Sequence, residues 1–175
     1  MAKLARLMSP DQSLLIQPAK LAASGGYLTG QLGLVDMQRI SDLILNREGN
    51  VSYTLTFSKD DRGTIIIAGN LAVSLVVLCQ RCLGEMELLI DNQIKVGIVS
   101  NQEEMKNLPD FLEPFMAEER DISLLKLIED ELILGLPLSP LHSPEKCPAM
   151  QVAEGYYPEK TNPFTVLKEL KTGNQ

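Results

Sequence analysis

The chain is predicted to adopt an α+β fold, an antiparallel β-sheet or partial barrel with a cysteine-knuckle hairpin, packed against one main amphipathic helix and short flanking helices. Three observations predict it. From Val51 the apolar residues Val51, Tyr53, Leu55 and Phe57 alternate with Ser52, Thr54 and Thr56, the period of a half-buried strand. Further Val-, Ile- and Leu-rich runs follow at Thr64 to Ala68, Leu71 to Leu78 and Glu87 to Val99. After them Ile122, Leu124, Leu125, Leu127, Ile128, Leu132 and Ile133 recur at helical spacing. With 175 residues and 45% hydrophobic content, the chain suffices for one cooperative core but not for two sizeable ones.

In chain order, the first fifty residues form a lead-in to the sheet. The flexible run Ser24-Gly25-Gly26 precedes a short strand at Tyr27 to Leu32, and Val35 to Leu45 places Met37, Ile40, Leu43 and Ile44 on one side of a short helix. The sheet occupies residues 51–99, with a hairpin turn at Lys59-Asp60-Asp61-Arg62-Gly63 and breaks at Gly69-Asn70 and at the cysteine pair. Residues 100–120 are polar, acidic and proline-interrupted, the composition of a long loop with a helical turn. Asp121 is the expected N-cap of the core helix, which runs to about Leu134 and is stopped by Gly135 and Pro137. A proline-punctuated Cys/His loop extends the region to residue 148, and one α+β domain spans residues 1–158. Residues 159–175 form a tail in which Asn162-Pro163 opens a short helix carrying Phe164, Leu167 and Leu170.

Charge and cysteine usage exclude several function classes. No apolar stretch approaches the roughly 20 residues of a membrane span, and the first residues lack a signal-like core, which predicts a cytoplasmic protein without membrane contact. Three cysteines are too few for a disulfide scaffold, so reduced thiols or metal ligation fit better. A net charge of −7 opposes nonspecific attraction to nucleic acid. Ten of the 23 acidic residues lie between Glu103 and Glu131, against Lys106, Arg120 and Lys126, a block suited either to steering a basic partner or simply to solvation.

The strongest local signal is Cys79-Gln80-Arg81-Cys82 between two strand-like runs, a knuckle that lets two thiolates face one ion. The remaining cysteine, Cys147, follows the single histidine, His142, by five residues in the loop after the core helix, completing four candidate zinc ligands. Fifty-nine residues separate Cys82 from His142, so the site requires that loop to fold onto the hairpin. A redox Cys-x-x-Cys and a pair of small buried cysteines remain open alternatives. The triplet Glu129-Asp130-Glu131 invites an acid/base reading, but consecutive helical residues point about 100° apart and do not converge on one substrate atom. With no nucleophile arrangement and no phosphate-binding glycine loop, no enzyme signature is present.

Three stretches together resemble the YceD family, named for large ribosomal RNA subunit accumulation. They are Cys79-Gln80-Arg81-Cys82; the run from Glu129 to His142, which includes Pro137 and Pro140, with Cys147 behind it; and Asn162-Pro163-Phe164 through Leu170. The resemblance implies a bacterial factor supporting processing or accumulation of large-subunit ribosomal RNA, without known catalytic activity. The expected partner is a large-subunit assembly intermediate, a basic ribosomal protein or an assembly factor, reached through the acidic segment and the Asn162-Pro163-Phe164 tail. Arg81, carried over as a motif residue, is expected either to contact RNA or protein or to pair with Glu129 or Asp130. A competing class is a direct RNA binder using Lys3, Arg6, Lys20, Arg39 and Arg81; a third is a thiol redox protein, zinc-dependent hydrolase or zinc adaptor unrelated to ribosomes.

Overall fold

The structure is a computed structural model that describes residues 14–117, 120–153 and 164. Its centre is a five-stranded open sheet in the order β2-β3-β4-β5-β6, built from β2 (Tyr27–Gly33), β3 (Asn50–Lys59), β4 (Ile65–Leu78), β5 (Glu85–Val99) and β6 (Glu113–Met116). The first four strands form an antiparallel meander, as the alternation predicts, whereas β6 runs parallel to β5, pairing Val96 with Glu113 and Val99 with Met116. A two-stranded pairing of β1 (Leu15–Ile16) with β7 (Ile122–Ser123) ties the start of the described chain to the entrance of the main helix.

Alternation decides which face of the sheet meets the core. Val51, Tyr53, Leu55 and Phe57 of β3 point inward with Leu71, Val73, Leu75 and Val77 of β4, while Thr54, Thr56 and Ser74 face out. The outer face is held by polar cross-strand pairs, among them Thr29 with Thr54 at 3.3 Å and Asn70 with Asp91 at 2.7 Å. The inner face is covered by α3 (Leu124–Gly135), whose Leu124, Leu127, Ile128 and Leu132 are buried, and by Leu34, Met37, Ile40 and Ile44. Each such buried side chain contributes about 1.5–3 kcal/mol.

Four local expectations are corrected. The break expected at Gly69-Asn70 is absent: β4 runs for 14 residues in unbroken register against both neighbours. Gly69 serves instead as the point of close approach, because a Cβ there would lie 1.9 Å from the Thr54 carbonyl oxygen of β3. The helix expected over Val35 to Leu45 is a pair of 3-10 turns, Leu34–Asp36 and Ile40–Asp42, with Leu43 half-exposed. The acidic segment, expected to be a long loop with a helical turn, contains such a turn as α2 (Gln102–Lys106), capped by Asn101, but also the edge strand β6, which its composition does not predict. The core helix is capped by Ser123, whose hydroxyl accepts from the Lys126 N–H at 3.2 Å, rather than by Asp121; the pairing of Ile122 with Ile16 keeps the chain extended for two more residues. Gly135 is the last residue of α3, where a Cβ would collide with the Asn92 side chain of β5 at 1.7 Å. Phe164 is exposed. The helix expected from Asn162-Pro163, together with Lys3 and Arg6, falls outside the described residues.

Candidate metal centre

The knuckle closes the β4–β5 hairpin. Beyond the last strand pair, Leu78 with Glu85, the Cys79 N–H donates to the Gly84 carbonyl at 2.9 Å and the Leu83 N–H to the Cys79 carbonyl at 2.9 Å. Leu83 turns the chain through φ +56°, a left-handed conformation unusual for a leucine, with its side chain exposed. The loop after α3 then crosses onto this turn: the Gln80 N–H donates to the Pro140 carbonyl at 2.8 Å and the His142 N–H to the Cys79 sulfur at 3.4 Å. Pro144–Lys146 forms a 3-10 turn that delivers Cys147, and α4 (Pro148–Ala153) follows it directly.

These contacts bring Cys79, Cys82, His142 and Cys147 together, with all four ligand atoms within 4.8 Å of one another. Cys79 and Cys147 are buried, and Cys82 and His142 half-buried. His142 Nδ1 faces the Cys82 sulfur at 3.3 Å, while Nε2 lies 3.1 Å from the Glu85 carbonyl oxygen. A carbonyl only accepts, so Nε2 carries the proton and Nδ1 presents its lone pair toward the sulfurs. Burial opposes ionisation of Cys79, but the N–H groups of His142, Cys82 and Arg81 and the Cys82 thiol together outweigh it and bring its pKa down to about 5. The Gly84 N–H favours the Cys82 thiolate; burial and the neighbouring Cys79 and Cys147 sulfurs prevail and raise it. Three sulfurs and one imidazole form a donor set that can hold a metal ion. The four residues singled out in the sequence are thus one cluster.

The acidic triplet divides by role. Glu129, buried on α3, accepts backbone N–H bonds from Arg39 at 2.6 Å and Ile40 at 3.1 Å, so it caps the 3-10 turn packed beside the helix. Asp130 is ion-paired with the Arg39 guanidinium. Arg81 is exposed on the knuckle and pairs with neither acid, so of its two expected roles the knuckle-to-helix ion pair is not formed and Arg39 pairs with Asp130 instead; no sequence period marks Arg39 for this role, because the contact joins residues 91 positions apart. Pro140 supplies the carbonyl that seats the loop, and Pro137 is exposed in the wall of an apolar groove.

Glu131 is buried, and burial first, then the Glu113 and Asp130 carboxylates, push its pKa up to about 7 from an ordinary 4.5. The fold therefore keeps this proton over a pH window in which the unfolded chain has lost it. Glu131 lets stability fall as pH rises from about 4.5 to about 7. Glu131→Gln is expected to melt like the parent at pH 4 and to be more stable at pH 8, by about 1 to 2 kcal/mol after allowance for solvent screening. Thermal melts across that range check it.

The family described as "Large ribosomal RNA subunit accumulation protein YceD" matches residues 67–171, which include the knuckle, α3 and the Cys/His loop. A relative from Haemophilus influenzae that bears this same description is 31% identical over 165 residues, covering 90% of this chain and 95% of its own length. No solved structure matches the chain significantly. Among the described residues, no helix is long and apolar enough to cross a membrane. On the match across residues 67–171 and the identity over nearly the whole length of both chains, this chain belongs to the YceD family.

Proposed function

We propose that this protein is a non-catalytic factor of the bacterial cytoplasm that supports accumulation of large-subunit ribosomal RNA by docking on an assembly intermediate through protein contacts. Membership in a family described by that role is the observation that carries it. A net charge of −7 favours a basic protein partner over direct wrapping of RNA. The Cys3His cluster is read as a structural zinc site. Four protein ligands close a tetrahedral shell, leaving no position for substrate, and Cys79-Gln80-Arg81-Cys82 joins two strands rather than opening a helix as redox pairs do. Zinc held there supplies a cross-link between the hairpin and the loop after α3, with the Glu85 carbonyl orienting His142.

Ribosome profiles with both ribosomal RNAs quantified test the function. Cells lacking the protein are expected to lose large-subunit RNA selectively; balanced RNA and normal profiles would sink the reading. The exposed Arg81 is proposed as a contact residue of the knuckle. Arg81→Ala is expected to melt within about 0.5 kcal/mol of the parent, as surface substitutions do, while cosedimentation with large-subunit precursors falls. A lowered melt with intact cosedimentation would make Arg81 structural instead.

A further inference from the structure

The geometry points to the recess between α3 and the edge strand β6 as a receptor for an arginine side chain of a basic protein partner. This names a residue-level contact for the docking proposed above and rests on that reading. The recess measures about 250 Å³ and is lined by Glu131, Glu113, Val96, Phe115 and Leu134, with Arg39 and Asp130 at its side. Glu131, only 9% exposed, has no hydrogen-bond or ion-pair partner among the described residues. Among the described residues, the other charged groups facing it either repel it or are already engaged. Glu113 from β6 and Asp130 from α3 add like charge, and the Arg39 guanidinium is committed to Asp130.

A buried carboxylate without a partner costs stability, and a neutral side chain of the same size would avoid that cost. Among the described residues no cation fills this role, and one from a protein partner takes it. The walls select its kind. Phe115 and Leu134 offer apolar surface for an aliphatic stem and a ring for a planar cation, while Glu131 and the exposed Glu113 of the edge strand add carboxylates to the lining. A guanidinium suits both features, being planar, weakly hydrated and able to donate to two carboxylates. A divalent ion demands six or more oxygen ligands, which a half-apolar recess serves poorly. Because Glu131 holds a proton up to about pH 7, arginine capture expels that proton to solvent and tightens as pH rises.

The test is carbon-detected NMR of the glutamate carboxyl groups in the full chain, titrated with Nα-acetylarginine amide, Nα-acetyllysine amide and magnesium chloride in turn. The arginine probe is expected to move Glu131 and Glu113 saturably and lower the Glu131 titration midpoint by at least one pH unit. It should bind at least tenfold tighter at pH 8 than at pH 5.5, with saturable shifts lost in Glu131→Gln and weakened in Glu113→Gln. Saturable shifts with magnesium alone would make the recess a metal site, and no saturable shift with any probe would make Glu131 a merely structural acid. Either result overturns the proposal. Failure here is separable from failure of the assembly role: a strain carrying Glu131→Gln with normal large-subunit RNA, where the deletion strain loses it, removes the arginine pocket alone. Balanced RNA in the deletion strain removes the assembly role while leaving the NMR result standing.

Discussion

Chelation of the purified protein is expected to lower its melting temperature by about 8 to 16 °C, with one zinc per chain released. The size follows from linkage. An ion present at a thousand times its dissociation constant stabilises the state that binds it by about 4 kcal/mol, and in a chain of this length each kcal/mol moves the midpoint by about 2–4 °C. The loss should be localised. Cys147 and His142 lie far along the chain from the hairpin, and among the described residues the loop is otherwise fastened to it by the Gln80–Pro140, His142–Cys79 and His142–Glu85 hydrogen bonds. Amide exchange at residues 140–147 and at the knuckle should therefore accelerate before that of the sheet. Cys79→Ser with Cys82→Ser should reproduce the chelated state without further response to chelator. Substoichiometric zinc in the purified protein, with a melt indifferent to chelator, would leave the cysteines as small buried residues.

Replacing Glu129 with alanine is expected to cost about 3 kcal/mol, because hydrogen bonds to charged groups contribute about 1.5–3 kcal/mol each and a buried and a part-buried donor lose their acceptor together. The Arg39 and Ile40 N–H groups sit at the start of a 3-10 turn whose Ile40 side chain is fully buried against α3. Glu129→Gln keeps a carbonyl oxygen in place and should cost about half as much. Thermal melts measure both, and exchange of those two amides should rise in the alanine protein. A Glu129→Ala melt within 2 °C of the parent, at about 1 kcal/mol or less, would show that water replaces the carboxylate. In either case the stability role of Glu129 is separable from that of Glu131, whose substitution is expected to stabilise at neutral pH and above.

The sequence alone determined what is written in local periods and residue chemistry. The two-residue alternation of β3 fixed which side chains meet the core, and the helical spacing of Leu124, Leu127, Ile128 and Leu132 identified the helix that covers them. The four metal-type ligands were legible from composition, since the chain has three cysteines and one histidine and only one way to complete a set of four. Only the tertiary structure decided what depends on residues distant in sequence. Whether Gly69 breaks β4 or admits the Thr54 carbonyl depends on a neighbouring strand, not on glycine's propensity. The segment from Val35 to Leu45 is apolar at helical spacing, yet it becomes two 3-10 turns, the second of which has its first N–H groups satisfied by Glu129. Asp130 chose Arg39 over Arg81, and the strand β6 emerged from an acidic stretch because the edge of β5 offered it a parallel ladder. Local patterns encode burial one residue at a time. Pairing across tens of residues is set by which unsatisfied groups the packed core brings within reach, and only the folded chain contains that information.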